Sequence, residues 1–244
     1  MYLDKKVTVL IAAAGMGHRM ELPINKQFLN IKGKTVLGMT LHAFEICPYI
    51  DDIILIIQKK ERDIVQGLLK DIDMTKPYQF VIGGKERQDS IWNGLCAIDE
   101  DTDIVLTHDG ARPFITQEKI KDVLDGLQNT GASVLANPVK DTIKVSSNGV
   151  IVDFTPKRDV LFAVQTPQAF YKSVIIAAYQ QAIDEGYYGT DDCSLVEKSG
   201  IKVSLVKGDY ANIKITVPED LIIAESLVKE PTEILRKYGY MEDI

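Results

Sequence analysis

Short apolar runs rich in valine and isoleucine, each separated from the next by a helical pattern, constrain the fold of this chain most strongly. The runs lie at residues 7–11, 53–57, 80–82, 104–106 and 133–136. Continuous apolar strands that alternate with helices are typical of a parallel sheet whose two faces are both covered by helices. The spacing therefore predicts an α/β fold, doubly wound around a mostly parallel sheet with right-handed connections.

The pattern changes after Pro138, where no helical crossover follows. Residues 140–145 and 150–154 indicate two short strands around a turn at 146–149. A two-stranded ribbon is marginal in water, so this hairpin needs a surface to pack against, such as a second subunit. The lysines of the hairpin have an alternative explanation: charged side chains on an edge strand prevent it from pairing with strands of other molecules.

Beyond the hairpin, helices are predicted at about 172–185 and 191–199, strands at 202–206 and 212–216, and a final helix that opens at Pro218. The whole chain is therefore predicted to be one domain, residues 1–244. It consists of a doubly wound, mostly parallel Rossmann-like sheet with a protruding β-hairpin arm at about 138–160.

Composition narrows the classes of partner. The chain has 244 residues, 45% hydrophobic and 26% charged, as in ordinary globular proteins. A net charge of −7 argues against nucleic acid as a main partner but leaves room for a small anionic substrate bound by a local group of cations. No apolar run approaches the ~18 residues of a membrane span, and the N-terminus shows no signal-peptide core, so we expect a cytoplasmic protein.

The first apolar run is followed by small residues and then by two cations. Ala12 to Gly15 leave a shallow floor on which a flat base or a polyphosphate can approach the backbone closely. Arg19 and Lys26 follow at a distance suited to a triphosphate. From this stretch alone, a nucleotide-triphosphate loop and an ordinary strand-to-helix turn with two solvated cations are about equally supported.

Two common phosphate-binding motifs are excluded. The dinucleotide fingerprint would start at Gly15 and Gly17, but its third glycine position is Met20. A Walker A loop ending at residues 33–35 would need a glycine where Phe28 stands. Residues 28–31 are instead predicted to form a short strand, followed by a turn and a helix from about residue 35.

Two further polar stretches follow strands, at the edge where doubly wound sheets bind ligands. Asp109 suits a hard cation such as Mg²⁺, which takes one or two carboxylates plus substrate phosphates. For an isolated aspartate at a strand end, however, a helix cap or an ion pair with Arg112 is the better-supported role. Gly83 and Gly84, with Ser90 one turn later, suit either contact with a base edge or a tight turn. Neither stretch decides between its two readings alone.

Taken together, these motifs resemble those of the 2-C-methyl-D-erythritol 4-phosphate cytidylyltransferases, a non-mevalonate isoprenoid-pathway family of the nucleotidyltransferase superfamily. The resemblance spans nearly the whole chain and rests on six ordered stretches, residues 12–20 with 26–28, 83–87, 108–113, 138–142, 165–168 and 212–214. The related ribitol-5-phosphate cytidylyltransferases share several of these motifs. Residues 141–144, 157–158 and 190–192 are closer to the erythritol enzymes.

The resemblance implies a site for each part of the reaction. It implies that CTP is held by Ala13, Ala14, Gly15, Gly84 and Ser90. Catalysis would fall to Arg19, Lys26 and Lys214, with Mg²⁺ on Asp109. The polyol phosphate would lie among Arg112, Thr142, Arg158, Thr166 and Thr190. In the family the arm embraces a second subunit, so the resemblance also implies a homodimer in which Thr142 and Arg158 enter the partner's site.

Two positions depart from the family pattern. Asn25 stands where the family usually has proline, which leaves the loop before Lys26 less rigid, and Lys85 stands where some relatives carry an acid. The sequence thus predicts a CTP-dependent cytidylyltransferase that makes 4-diphosphocytidyl-2-C-methyl-D-erythritol. The alternatives are the same chemistry on ribitol 5-phosphate and a non-catalytic nucleotide-binding subunit on the same fold.

Overall fold

A seven-stranded sheet with helices on both faces forms the centre of the computed structural model, which describes residues 1–15 and 25–228. In chain order the strands are β1 (Val7–Ala12), β2 (Asn30–Ile31), β3 (Lys34–Thr35), β4 (Asp52–Ile57), β5 (Tyr78–Ile82), β6 (Ile104–Asp109), β7 (Ala132–Pro138), β8 (Phe162–Tyr171) and β9 (Ser204–Lys207). The pair β2-β3 stands apart, and the other seven are ordered β5-β4-β1-β6-β8-β7-β9. Within this sheet only β8 runs antiparallel to its neighbours.

The helices predicted from about residue 35, at 172–185, at 191–199 and from Pro218 all form close to those positions, as α1, α6, α7 and α8 of the following set. They are α1 (Val36–Glu45), α2 (Arg62–Asp71), α3 (Arg87–Leu95), α4 (Gln117–Asp125), α5 (Leu127–Thr130), α6 (Lys172–Asp184), α7 (Asp192–Lys198) and α8 (Glu219–Leu227). Short 3₁₀ turns lie at Lys26–Phe28, Lys59–Glu61 and Arg158–Val160. Thr116 caps α4, where its side chain accepts a hydrogen bond from the Lys119 N–H at 3.3 Å.

Alternate residues of each central strand face opposite layers of helices. In β1, Val9 and Ile11 pack in one apolar cluster with α1, α2 and α4, whereas Leu10 packs in a second cluster with α3, α6 and α7. Because both faces are covered, the strand needs an apolar side chain at nearly every position, which is the continuous pattern seen in the sequence. The predicted doubly wound, mostly parallel α/β fold is therefore confirmed.

Two predicted strands are wrong in detail. Residues 212–216 form no strand: the Ile215 N–H donates to the Ala111 carbonyl at 2.9 Å, and the buried Asn212 side chain bonds the Thr166 carbonyl at 2.9 Å. Residues 28–31 were predicted as one strand, but Lys26–Phe28 is a 3₁₀ turn and only Asn30–Ile31 pairs, with β3. In both segments local contacts satisfy the backbone in place of a longer ladder.

The arm is a turn with a single bridge rather than two strands. Val145 and Phe154 form its one isolated antiparallel bridge. The Asn148 side chain accepts from the N–H groups of Val150 and Ile151, both at 2.9 Å, and the Asp153 carboxylate accepts from the Ser147 N–H at 2.6 Å. These side-chain acceptors compete with ladder pairing, which explains why the two predicted strands did not form.

Three loops meet at the carboxyl edge of the parallel strands, after β1, β5 and β6. The Gly110 N–H donates to the Ala12 carbonyl at 2.9 Å, and a Cβ added at Gly83 would lie 2.3 Å from the Cβ of Ala14. The three loops are thus in direct contact, as the topology of doubly wound sheets requires. Among the helices of residues 1–15 and 25–228, none is long and apolar enough to cross a membrane.

Candidate active site

The loop after β1 is held by side-chain amides. The carbonyl of Ala13 accepts from Gln27 Nε2 at 2.5 Å, and the carbonyl of Ala14 accepts from Gln58 Nε2 at 2.9 Å. A Cβ added at Gly15 would meet no atom of residues 1–15 and 25–228 within 4 Å. The predicted site residue Arg19 lies outside the described residues.

A buried glutamate, Glu61, holds Asn25, the residue directly before Lys26. Glu61 accepts hydrogen bonds from the side-chain amide of Asn25 and, at 3.3 Å, from the Gln58 N–H. Asn25 is the position at which the family usually has proline, and here its contact with Glu61 supplies a restraint of another kind. Lys26 follows directly, in the 3₁₀ turn Lys26–Phe28.

The loop after β5 is closed by Ser90. Its hydroxyl accepts from the Gly84 N–H at 3.0 Å and donates to the Glu86 carbonyl at 3.0 Å. Asp89 completes the turn by accepting from the Glu86 N–H at 2.9 Å. These bonds match the structural reading of Gly84 and Ser90, in which they shape a tight turn. Gly83 at the start of this turn lies against Ala14, so the loops after β1 and β5 adjoin each other at this edge.

Asp109 is the centre of a cluster of charges at the same edge. Its Oδ2 atom lies 2.7 Å from Lys214 Nζ and 3.6 Å from Arg112 Nε, and its Oδ1 atom lies 3.2 Å from Arg87 Nε. The side chain of Asp109 is 10% exposed, whereas that of Lys214 is 35% exposed. Three cations therefore converge on one buried carboxylate.

The cations keep this carboxylate ionised. Burial alone would raise the pKa of Asp109, but Arg87, Lys214 and Arg112 together hold it well below its ordinary value. Burial lowers the pKa of Arg112, and Asp109 offsets part of that effect. The predicted ion pair of Asp109 with Arg112 is thus present, alongside two further partners.

His108 and Thr166 form a second, neutral part of the site. Burial lowers the pKa of His108 to about 3, so the ring carries one proton at neutral pH. His108 Nε2 lies 3.2 Å from the Arg112 carbonyl, which can only accept, so that proton is on Nε2. His108 Nδ1 then accepts from the Thr166 hydroxyl at 3.2 Å, and Thr166 Oγ1 accepts from the Asp109 N–H at 3.0 Å. Thr166, predicted to contact the polyol, therefore lies beside Asp109.

A buried network that was not predicted from the sequence lies behind Asp109. Asp192, 1% exposed, accepts from both terminal nitrogens of Arg87 at 2.9 and 3.0 Å. It also accepts from the hydroxyls of Thr107 at 2.6 Å and Tyr179 at 2.5 Å. Arg87 and Asp192 are 105 residues apart in the chain, so no local motif could have revealed the pair.

The other predicted residues lie away from this cluster. Thr142 and Arg158 are exposed in the arm, where Arg158 Nη1 donates to the Lys140 carbonyl at 3.1 Å. Thr190 is exposed just before α7, and Lys85 is exposed on the turn after β5. Within the described part of this single chain, none of the four hydrogen bonds with the residues around Asp109.

The described side chains around Asp109 include few groups that could bind the expected Mg²⁺ ion. Among the described residues, no group of three or more histidine, cysteine, aspartate or glutamate side chains could hold a metal ion. Mg²⁺ commonly needs only one or two protein carboxylates when substrate phosphates supply further oxygen ligands. Asp109 fits that mode, provided that a cation now on its Oδ2 atom gives way.

Glycine-containing loops and a cation cluster at the carboxyl edge of a doubly wound sheet are the arrangement expected of a nucleotidyltransferase. Comparison with known proteins narrows this class. The model of the IspD family, 2-C-methyl-D-erythritol 4-phosphate cytidylyltransferase, matches residues 7–230, and the chain belongs to that family. Its members transfer CMP from CTP to 2-C-methyl-D-erythritol 4-phosphate in isoprenoid biosynthesis, and this chain is one of them.

Individual relatives agree over nearly their whole length. The chain is 44% identical to the 2-C-methyl-D-erythritol 4-phosphate cytidylyltransferase of Caldanaerobacter subterraneus, over 92% of this chain and 99% of the relative. It is 47% identical to that of Bacillus thuringiensis, over 91% and 97%. The crystal structure of 4-diphosphocytidyl-2C-methyl-D-erythritol synthase from Anaerococcus prevotii superposes with a TM-score of 0.82 at 36% identity, covering 93% of this chain and 99% of that one.

Proposed function

We propose that CTP binds over the floor formed by the loops after β1 and β5, with its α-phosphate near Asp109. Ala13, Ala14 and Gly15 would lie under the nucleotide, and Gly84 and Ser90 would shape the end that receives the cytosine. The observation that carries this proposal is the cation cluster on Asp109, directly beside that floor.

The charge of the cluster suits two phosphorylated substrates. Arg87, Arg112 and Lys214 face two carboxylates, Asp109 and Asp192, which leaves one net positive charge in a largely buried site. Lys26 and Arg19 would add two more cations on the nucleotide side. Positive charge fixed in a site of low dielectric attracts and orients anions before any reaction occurs.

In the proposed reaction, an oxygen of the methylerythritol phosphate attacks the α-phosphorus of CTP in line. The bond from that phosphorus to the bridging oxygen breaks, and pyrophosphate leaves with the electron pair. No general base is needed, because the attacking phosphate is ionised at neutral pH. Catalysis then rests on positioning and on neutralising charge in the transition state.

The polar and charged side chains of the site would have separate roles in this reaction. Lys26 and Arg19 would hold the triphosphate and stabilise the leaving pyrophosphate. Lys214 and Arg112 would hold the attacking phosphate beside the α-phosphorus, with Thr166 near the polyol. Asp109 would hold Mg²⁺, which when bound supplies charge compensation for the reacting phosphates.

We also propose that the enzyme is a homodimer joined through the arm, residues 138–160. The arm exposes large apolar side chains, among them Val150, Ile151 and Phe154, at 86%, 66% and 57%. Apolar residues grouped in this way favour burial against another protein surface. Thr142 and Arg158 would then complete the polyol site of the partner subunit, together with that subunit's own Thr190.

Mixed dimers test the arm proposal. Lys26→Ala and Arg158→Ala enzymes, each of low activity, are unfolded together and refolded in equal amounts. If Arg158 acts in the partner's site, each mixed dimer regains one intact site, and the mixture recovers about a quarter of the wild-type rate. Recovery of no activity, with mixed dimers shown by mass spectrometry, would place Arg158 in its own subunit's site and refute the proposal.

The substrate is tested by pyrophosphate release with CTP and Mg²⁺, with 2-C-methyl-D-erythritol 4-phosphate and ribitol 5-phosphate in parallel. We expect release with the first polyol and little with the second. Pyrophosphate release with ribitol 5-phosphate alone would indicate a ribitol-5-phosphate cytidylyltransferase. CTP binding without pyrophosphate release would support a non-catalytic subunit. CTP as co-substrate also favours action in the cytoplasm, which cell fractionation tests.

A further inference from the structure

We propose that Arg87, held by Asp192, is a positioning residue that fixes one oxygen of the Asp109 carboxylate and leaves the other for exchange. This inference rests on the proposed role of Asp109 as a ligand for Mg²⁺. It divides the three cations around Asp109 into one that stays on the carboxylate and two that are transferred to substrate phosphates.

Asp192 holds Arg87 in one orientation. Its two oxygens receive four hydrogen bonds, two from the ends of the Arg87 guanidinium and one each from the hydroxyls of Thr107 and Tyr179. A bidentate arginine–carboxylate pair fixes the plane of the guanidinium as well as its position. Arg87 therefore has no rotational freedom about this contact.

The same pairing aims a third nitrogen at Asp109. With both terminal nitrogens on Asp192, the Nε–H of Arg87 points to Asp109 Oδ1 at 3.2 Å. A lysine could not serve both carboxylates with this geometry, because an ammonium is a point charge without a fork. Arg87 thus connects a buried anchor to one defined oxygen of Asp109.

The other two cations are bound differently. Lys214 contacts Oδ2 with a single ammonium and is 35% exposed, so it can turn toward an incoming phosphate. Arg112 Nε stands 3.6 Å from the same oxygen and makes no hydrogen bond with the part of the chain that the structure describes, while Arg112 Nη1 is held by the Asn212 carbonyl at 2.8 Å. Both cations contact Oδ2 of Asp109. When they turn to the substrate phosphates, Oδ2 is exposed and the contact of Arg87 with Oδ1 is undisturbed.

Arg87 is unsuited to leave the carboxylate. Its departure would strand Asp192, which is 1% exposed, without its counterion, and uncompensated buried charge is strongly unfavourable. The helix that carries Arg87 is also packed firmly against α6, which supplies the Tyr179 hydroxyl to Asp192, since Trp92 of α3 stacks on Tyr179 with ring centroids 6.1 Å apart and planes at 8°. Arg87 and Asp192 therefore act as a fixed support for Oδ1.

The test measures Mn²⁺ binding to the enzyme–CTP complex by electron paramagnetic resonance, together with kcat and KM. For Arg87→Lys we expect Mn²⁺ affinity to fall about tenfold or more, as with other changes to partners of a metal ligand. We also expect kcat to fall, with little change in the KM for the polyol phosphate. Tyr179→Phe, which keeps all charges, should lower Mn²⁺ affinity in the same direction by about threefold. Arg62→Lys, on a different helix, is the matched control and should leave Mn²⁺ binding unchanged.

The outcomes separate this inference from the proposed function. If Asp109→Asn weakens Mn²⁺ binding but Arg87→Lys and Tyr179→Phe leave it within twofold of wild type, the positioning role is wrong. If Asp109→Asn itself leaves Mn²⁺ binding intact, the metal site lies elsewhere, and the proposed role of Asp109 fails first. Thermal unfolding of each variant identifies a fold defect, and if Arg87→Lys does not fold, Tyr179→Phe decides the question.

Discussion

Acidification to pH 5 should destabilise the folded enzyme through one buried imidazole. The ring of His108 is fully buried and packs edge-on against Phe44, with centroids 4.8 Å apart. Its Nε2–H is bound to the Arg112 carbonyl and its Nδ1 accepts from Thr166, so a second proton would displace a bond that is already made. Burial is the main reason that the pKa of His108 falls to about 3.

The size of the effect follows from that pKa. The unfolded chain binds the proton near pH 6.5, whereas the folded chain does not bind it until about pH 3, so stability is lost as the pH falls through this window. Between pH 7.5 and 5.0 the loss is about 2 kcal/mol. Carboxylates with lowered pKa values, Asp109 included, bind protons in the unfolded chain mostly below pH 5.0, so they contribute little to the loss between pH 7.5 and 5.0.

Urea unfolding of the metal-free enzyme at pH 7.5 and 5.0 measures this loss. His108→Gln keeps an amide that can donate to the Arg112 carbonyl but has no titrating group, so it is the matched comparison. We expect the wild type to lose about 2 kcal/mol more than the variant across this pH range. An equal loss in both proteins would show that His108 is protonated in the folded state and would refute the reasoning.

Three substitutions test other parts of the structure. Lys26→Ala should lower kcat at least ~10²-fold, because it removes a charge contact to the transition state; weaker CTP binding with nearly normal kcat would assign Lys26 to ground-state binding. Gly83→Ala places a Cβ 2.3 Å from that of Ala14, so calorimetry should show weaker CTP binding, and adding Ala14→Gly should restore part of it; no rescue would mean that the two loops do not act together. Gly94→Ala places a Cβ 2.8 Å from a methyl of Leu10 and should cost about 1–3 kcal/mol in urea unfolding, whereas a gain in stability would show that α3 can shift without loss.

The fold was largely predictable because burial on both faces leaves a strong pattern in the sequence. Residues 53–57 are apolar throughout, and β4 forms there with only its first residue, Asp52, added. The prediction was wrong where polar side chains satisfied the backbone. Asn148 in the arm and Asn212 near the site both bind neighbouring backbone groups, and a hydropathy pattern does not reveal such contacts.

The site was predictable only where a motif is local. Asp109 and Arg112 were singled out from a strand end and Thr166 from the family resemblance, and the structure brings the three together. Arg87 and Asp192 were not predicted to pair. Each lies in the first turn of a helix, where a polar or charged side chain is common and needs no distant partner. Their distinguishing feature is the bidentate contact of the partly buried Arg87 with the buried Asp192 carboxylate, which only the folded chain shows.

The reversed strand β8 determines where the arm leaves the domain. Because β8 is antiparallel to β7, Pro138 at the end of one strand pairs with Phe162 at the start of the other. The intervening residues 139–161 therefore depart from and return to the edge that carries Asp109. A parallel β8 would have drawn the connection across a face of the sheet, far from the substrates. The arm is thus an insertion into a closed hairpin, and its length can change in evolution without altering the ladder that supports it.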